Sequence, residues 1–373
     1  MSGIDDKTGH EGGENFVKHF QLVSTVLLVL LASCGDLTSS AEEPAENAAT
    51  GNVYTEPDQI ERIAERRAAA LPVETLQFED AINGLTFPNE SMQLAIAFNR
   101  EVLLIDTLTG EEQWRMKPCR TCSTVHITRS ASDQEILMPS RSRKGGAAYD
   151  VDTGEQVRDL TGADFRTILA PDRASQLSVA ELQAVLIYPN SQSLIWESGV
   201  RKIGALGFAP NGASFVISAD GDGEPRAGGK VMIYDPLSRE VISRINYARG
   251  SFNHLAYAPD NSRLILASYK DRVLVWDLEN QTPHCRFNSD DQGLGLRAFQ
   301  LSPDGRLIAT GGGSDRSGYA RIWDADTCEL RAELTFRERV GALSFHPTKP
   351  LLAAGAWSGE VSLVNFAYLT ITD

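Results

Sequence analysis

From residue 72 onward a short phrase keeps returning: "LGFAPNG" (206–212), "LAYAPDN" (255–261), "FQLSPDG" (299–305) and "LSFHPTK" (343–349), with degenerate copies at "LTFPNES" (85–91) and "ILAPDRA" (168–174). A second phrase follows: "EVLLIDTLTG" (101–110), "AAYDVDTG" (147–154), "VMIYDPLS" (231–238), "VLVWDLEN" (273–280) and "ARIWDADT" (320–327). No other feature constrains the fold as much. Self-similarity at such a period means that one supersecondary unit is stacked on copies of itself, each unable to bury its apolar faces alone. Prolines 88, 171, 210, 259, 303 and 347, with "SASD" (130–133) in the vacant slot, divide the region into seven units of roughly 40–49 residues.

The units consist of short apolar, alternating runs punctuated by Gly, Pro, Asn and Asp, with no helix-length amphipathic segment. That texture predicts an all-β sandwich, barrel or propeller. Residues 72–373 are too many for one sandwich, and the repeat selects the propeller. At Trp276–Asp277 and Trp323–Asp324 the second phrase resembles the WD-repeat β-propeller family, with weaker copies at Tyr149–Asp150, Tyr234–Asp235 and Ile105–Asp106. The resemblance implies seven four-stranded antiparallel blades. "LIDTLTGEEQWRM" (104–116) is also similar to quinoprotein-type propeller repeats. The Gly-His usual in the family is missing, so its hydrogen-bond set is incomplete; the fifth unit keeps Ser268, Asp271 and Trp276 of it. "PVETLQF" (72–78) is the expected closing strand, and "AYLTITD" at the C-terminus is the alternative.

The leader carries an address. Leu22–Ala32 is an apolar run about half the roughly 20 residues a membrane-spanning helix needs, a length that suits a signal peptide with Lys18 and His19 as its basic flank. It ends in "LASC" (31–34), which resembles the lipobox of bacterial lipoproteins. The resemblance implies cleavage before Cys34, lipid on that cysteine and an anchor in the cell envelope, facing the periplasm. Gly35 after the cysteine favours the outer membrane. Residues 1–16 are too acidic for a signal-peptide start, so translation is expected to begin at Val17. Residues 1–33 are thus read as leader and signal peptide, 34–71 as an acidic flexible tether containing a short helix, and 72–373 as the propeller. "TSSAEEPAENAATGN" has no large apolar residue with which to order itself.

The chain carries a formal charge of −15. Removing residues 1–33, with two lysines and four acids, leaves −13. An acidic chain without a basic stripe excludes nucleic acid as the expected partner. Cys119 and Cys122 in "CRTC" are expected to form a local disulfide in an oxidising envelope, with free thiols or a redox or metal pair as alternatives. Cys285 and Cys328 belong to strands of different units and are expected to be unpaired. Asp220, Asp222 and Glu224 alternate as at the start of a calcium loop, yet Pro225 and Val231 occupy the Gly and Glu positions. "GGGSDRSGY" (311–319) lacks the Gly-Lys-Ser/Thr of a phosphate loop and reads as a long loop; His346 reads as a turn residue. No catalytic constellation, metal set or cofactor motif emerges, and a monomeric propeller is expected.

One register pattern points to a partner. Aligning units on Val102, Val273 and Val361 places Phe98, Tyr269 and Trp357 at the same position, four residues earlier. Equivalent positions in a ring share one rim, and loops on rims are where binding concentrates. Arg141, Arg143, Lys144, Lys270 and Arg316 would surround these aromatics. Two readings stay open: each aromatic packs between its own blade and the next, or the three form a shared protein-binding face. The expected function is a non-enzymatic, membrane-tethered scaffold in the bacterial envelope, binding an envelope protein. Its alternatives are a helper of outer-membrane protein assembly, a lactonase-like hydrolase or quinone-dependent dehydrogenase, and a small-ligand or glycan-binding lipoprotein.

Overall fold

The computed structural model describes residues 73–369, except 118–126, 130–134, 139–145, 161–167, 172–174, 181–182, 189–190, 198–202, 220–228, 248–251, 270–271 and 290–293. The leader, the tether and Cys34 lie outside the described residues, as do Cys119, Cys122, Arg141, Arg143, Lys144, Lys270 and the acids at 220, 222 and 224.

After a lone first strand, β1 (Val73–Gln77), the chain lays down one four-stranded antiparallel sheet after another. The first holds β2 (Gly84–Thr86), β3 (Gln93–Ala97), β4 (Val102–Asp106) and β5 (Glu112–Met116). The second holds β6 (Thr128–Arg129), β7 (Glu135–Met138), β8 (Gly146–Asp150) and β9 (Gln156–Leu160). The third holds β10 (Ile168–Leu169), β11 (Gln176–Ala180), β12 (Gln183–Tyr188) and β13 (Ser191–Glu197). The fourth holds β14 (Ile203–Phe208), β15 (Phe215–Ala219), β16 (Gly229–Tyr234) and β17 (Val241–Tyr247). The fifth holds β18 (Phe252–Tyr257), β19 (Arg263–Ser268), β20 (Arg272–Asp277) and β21 (Thr282–Asn288). The sixth holds β22 (Leu296–Leu301), β23 (Leu307–Gly313), β24 (Gly318–Asp324) and β25 (Leu330–Phe336). The last has only three strands of its own, β26 (Val340–Phe345), β27 (Leu351–Ala356) and β28 (Glu360–Asn365), and takes β1 as its fourth. Val73 pairs with Val364 and Gln77 with Glu360, so "PVETLQF" does join the last sheet.

The core is distributed between neighbours. Six apolar layers each draw residues from two adjacent sheets: first with second, third with fourth, then onward to the seventh, and the seventh back onto the first. The middle strands face a layer on each side. They are accordingly buried along almost their whole length, as in β15, β19, β23 and β27. A strand covered on both faces reads as a continuous apolar run, whereas one with a wet face alternates. The outermost strands, such as β21 and β25, keep polar residues in water.

The two repeated phrases are two kinds of turn. The proline phrase joins first to second strand: the N–H of Gly305 reaches the carbonyl of Ser302 at 2.9 Å, and Gly305 has φ of +76°. The WD-type phrase joins third to fourth strand, and its Asp shapes the turn. The Asp324 carboxylate accepts the N–H groups of Asp326 (2.9 Å) and Thr327 (2.8 Å), and the N–H of residue 328 returns to the Asp324 carbonyl. The same backbone donors hold the Asp150, Asp235 and Asp277 carboxyls below the ordinary carboxylate range. The fifth turn residue is left-handed: Gly110 and Gly154 in the first two sheets, Arg239, Gln281 and Cys328 later.

Two sequence expectations change here. Cys285 and Cys328 are bonded, with Cα atoms 6.0 Å apart. Belonging to different sheets did not keep them apart, because β21 lies over the fifth–sixth layer beside the turn that carries Cys328. The stretch 311–319 is a hairpin rather than a long loop: Gly311–Gly313 end β23, Gly318 and Tyr319 begin β24, and the turn between them is short. Of the family positions that the fifth unit keeps, Ser268 does not bond Trp276. The indole N–H of Trp323 donates to Thr310 at 2.9 Å, but the position of Thr310 is occupied in the fifth sheet by Leu266, leaving the enclosed N–H of Trp276 without an acceptor among the described residues. Ser268 instead accepts the N–H of Arg272 at 3.3 Å.

Candidate functional site

Antiparallel order fixes which loops meet. In each sheet the second-to-third-strand turn lies at the same end as the connection to the next sheet; the proline and WD-type turns lie at the other end. Phe98, Tyr269 and Trp357 all sit in second-to-third-strand turns, so they share a rim. Their surroundings differ.

Phe98 is 4% exposed and packs on Phe78, ring centroids 5.5 Å apart, inside the seventh–first layer. The connection leaving β1 carries Phe78 onto it before the chain enters β2. Phe98 is therefore a core residue and is withdrawn from the binding face. Tyr269 and Trp357 are each 43% exposed. Each is held by a glycine and an arginine. A Cβ on Gly295 would stand 3.1 Å from Tyr269 Cζ, and one on Gly341 would stand 2.9 Å from Trp357 Nε1, so the absent side chains let the rings lie close. The Arg297 guanidinium lies 4.7 Å from the Tyr269 centroid, and that of Arg339 lies 4.4 Å from the Trp357 centroid. Backbone bonds fix both turns, from Leu296 N–H to the Tyr269 carbonyl (3.1 Å) and from Trp357 N–H to the Arg339 carbonyl (3.0 Å).

Between them stands the short turn of the sixth sheet with exposed Arg316. Arg339 is ion-paired with Asp315 of this turn. Beneath it Arg321, 7% exposed, stacks 4.8 Å from the Tyr319 centroid, donates to Glu333 at 2.7 Å and to the Ser289 carbonyl at 2.6 Å. The structure thus places Tyr269, Arg316 and Trp357 on one rim, in the turns of three successive sheets, and adds Arg297 beside Tyr269 and Arg339 beside Trp357. Sequence reasoning missed both arginines because Arg297 begins the sheet after that of Tyr269 and Arg339 lies in the connection leading into the sheet of Trp357. The register that aligned the aromatics says nothing of those positions, although "GLGLR" and "RERVG" flank the two glycines.

Other titratable groups are structural. His346, 1% exposed, accepts the N–H groups of Thr348 and Lys349 on Nδ1, and its Nε2 stands 2.9 Å from the Ser91 carbonyl, fastening the last sheet to the first. It is a turn residue, as expected. Burial holds the His254 imidazole down at about 4 and pushes the Tyr257 phenol up to about 12. Among the described residues no three His, Cys, Asp or Glu side chains are grouped to hold a metal ion. The arrangement on the rim offers stacking faces and guanidinium edges, which is the chemistry of an anchor for another molecule.

Comparisons with known proteins agree on the fold. Residues 284–324 match the family "WD domain, G-beta repeat". The chain is 24% identical over 168 residues to Telomerase protein component 1 of Rattus norvegicus, covering 45% of this chain and 6% of that protein. It is 26% identical over 149 residues to Protein transport protein SEC31 of Chaetomium globosum, covering 37% of this chain and 11% of that protein. The chain therefore spans only a small part of these relatives. The β-propeller domain of Cps50 (Swd1) from Myceliophteria thermophila superposes with a TM-score of 0.64 at 15% identity, over 79% of this chain and 98% of that domain. The repeat match, the relatives and the shared architecture together support a WD-repeat β-propeller, a fold that commonly mediates protein–protein interaction.

Proposed function

We propose that this protein is a non-enzymatic interaction scaffold: a seven-bladed propeller, lipid-anchored through Cys34 to the outer membrane of a bacterial envelope, facing the periplasm and holding a protein partner on one rim. Each four-stranded sheet is one blade, and β1 completes the seventh. The observation that carries the partner face is the pair Tyr269 and Trp357, large aromatics left 43% exposed yet fixed in place by glycine, arginine and backbone bonds. A rigid aromatic anchor loses little conformational freedom on binding, which is why such residues dominate interface energetics. The Cys285–Cys328 disulfide supports the address, since disulfides persist in oxidising compartments.

The test is cross-linking in intact cells followed by affinity purification. It compares the parent with a Tyr269→Ala, Trp357→Ala variant of equal abundance and melting temperature. Loss of a specific partner from the variant is the expected result. An unchanged partner list would move the binding face to the opposite rim, and no partner with either protein would put the enzyme and ligand-binding readings in its place. The address has its own test. Mass analysis of the mature N-terminus should find acylated Cys34, and Cys34→Ser should release the protein from membranes.

A further inference from the structure

Tyr269 and Trp357 are supported differently. Trp357 rests on its own sheet: Gly341 belongs to β26, and Arg339 to the connection that leads into it. Tyr269 belongs to the fifth sheet, yet Gly295, Leu296 and Arg297, which fix its ring and its carbonyl, stand at the start of the sixth. The pose of Tyr269 therefore depends on how the fifth and sixth sheets sit against each other. The same joint carries the Cys285–Cys328 bond at its other end. Cys285 lies on the outermost strand β21, and Cys328 in the turn between β24 and β25, on the rim opposite Tyr269. Between the two ends runs the fifth–sixth apolar layer, with the Phe287 and Trp323 rings stacked at 4.2 Å. Beside the bond, Arg263 pairs with Asp326 at 2.6 Å, and His284 Nε2 stands 3.1 Å from the same carboxylate, whose side chain is 69% exposed. Ion pairs this exposed contribute little. The covalent bond is the firm fastening of this corner.

We propose that the Cys285–Cys328 bond is a redox-sensitive clamp on the Tyr269 anchor: its reduction loosens the fifth–sixth joint and lowers the hold on a partner. The proposal rests on the scaffold reading above and gives that face a regulator. Both cysteines are half-buried, one on an outermost strand and one in a turn, within reach of another protein. A dithiol protein supplies the electrons. One of its thiolates attacks either sulfur and displaces the other as a thiolate, giving a mixed disulfide. Its second thiol then displaces the protein's remaining sulfur and closes the reductant's own disulfide. Two electrons and two protons pass to residues 285 and 328, which end as thiols. With the bond made, the two sheets cannot part at their outer edge. With it broken they open locally, at a lower free energy than unfolding of the whole ring. A Tyr269 ring that is no longer fixed must be ordered when the partner arrives, which lowers affinity.

The experiment follows hydrogen exchange of the full chain by peptide mass analysis, before and after reduction with a phosphine, well below the melting temperature. Alkylation in parallel counts the thiols released from the folded protein. The Leu296 N–H, bonded across the joint to the Tyr269 carbonyl at 3.1 Å, reports opening of that joint. Reduction should speed its exchange roughly tenfold or more. The Trp357 N–H, bonded to the Arg339 carbonyl at 3.0 Å, should keep its rate, as should the Ile82 N–H, bonded to the Ala356 carbonyl at 3.2 Å where the seventh sheet meets the first. A Cys285→Ser, Cys328→Ser variant should behave as the reduced protein and ignore the phosphine. Unchanged exchange at Leu296 would overturn the clamp, as would a bond that resists reduction until the chain unfolds. Equal acceleration at all three amides would also overturn it, and would make the bond a fastening of the whole ring. In cells, the serine variant should cross-link less partner than the parent at equal abundance. Full capture with the Leu296 amide opened would overturn the control of binding. An unchanged partner list in Tyr269→Ala, Trp357→Ala as well would instead overturn the face on which the proposal rests, while the exchange rates still decide the clamp on the joint.

Discussion

The Cys285–Cys328 bond gives the sharpest test of the fold, because its effect can be worked out from the structure and separated into two parts. It closes a loop of 43 residues across the fifth and sixth sheets. In the chain-entropy account such a loop stabilises the folded state by about 4 kcal/mol, by restricting the unfolded chain. With an unfolding entropy of about 2.1 cal/mol/K per residue over about 300 residues, that corresponds to a loss of roughly 6 °C in melting temperature. Cys285→Ser should show this loss, and reductant should add nothing further to it. The second part is conformational. Cys328 has φ of +59°, the left-handed seat that Gly110 and Gly154 occupy in the first two sheets. A left-handed non-glycine residue costs roughly 1–2 kcal/mol, offset in part by the greater freedom of glycine in the unfolded chain. Cys328→Gly should therefore be more stable than Cys328→Ser by about 1 kcal/mol, although both lack the bond. Circular dichroism melts of the variants measure both quantities, and alkylation without reductant followed by peptide mass analysis reports the bond directly. Free thiols on residues 285 and 328 in protein made under oxidising conditions would refute the reasoning, as would Cys328→Ser and Cys328→Gly melting together.

Thr310→Val keeps shape but removes the acceptor of the buried Trp323 N–H, and should cost about 1–3 kcal/mol; in a Trp323→Phe background the same change should be nearly neutral by denaturant titration. Burial depresses the folded-state pKa of His254 to about 4, so its neutral form is the stabilised one: that stability is present above the unfolded value of 6.5 and is lost as pH falls towards 4, at up to about 1.4 kcal/mol per unit. His254→Phe should flatten the stability–pH curve in that window, and an unchanged slope would assign it to other groups. Gly341→Ala places a methyl 2.9 Å from Trp357 Nε1; it should displace the indole, shift tryptophan emission and weaken partner capture while leaving the melting temperature within a few degrees.

Much of the architecture was written in turns. Pro-Asp-Gly and Asp-x-x-Thr-Gly need particular backbone angles and side-chain acceptors, so each names its place in a four-stranded sheet without reference to the rest of the chain. The closing strand was legible for the same reason: the last unit is one strand short, and "PVETLQF" is the segment left over. What escaped depends on pairs from different sheets. The bond between residues 285 and 328 and the arginines over Tyr269 and Trp357 all join neighbouring sheets or lie where one sheet leads into the next. Phe98 shows the limit from the other side. Its register equals that of Tyr269 and Trp357, yet the connection entering its sheet lays the aromatic ring of Phe78 against it, and that apolar cover turns an anchor into core.

The direction of β1 ties the rim to the proposed anchor. Gln77 pairs with Glu360, next to the Trp357 turn, while Val73 pairs with Val364 at the far end of the same strand. The chain therefore enters the ring at the rim opposite the aromatics. It leaves there as well, since Asn365 ends β28 at that edge and Ala367–Leu369 follow in a single 3-10 turn. Neither end of the described chain crosses the Tyr269–Trp357 face. A tether running from Cys34 to Val73 would then hold the opposite rim towards the membrane and turn the aromatic rim away from it, towards the space where a protein partner is free to reach. On the same geometry, lengthening or shortening the stretch between residues 40 and 60 should leave the melting temperature unchanged. It should alter only which partners are cross-linked in cells, because it changes the height of the rim above the bilayer and not its chemistry. The same cross-linked partners at every tether length would mean that the height of the aromatic rim does not govern its reach, and would reverse the assignment of faces.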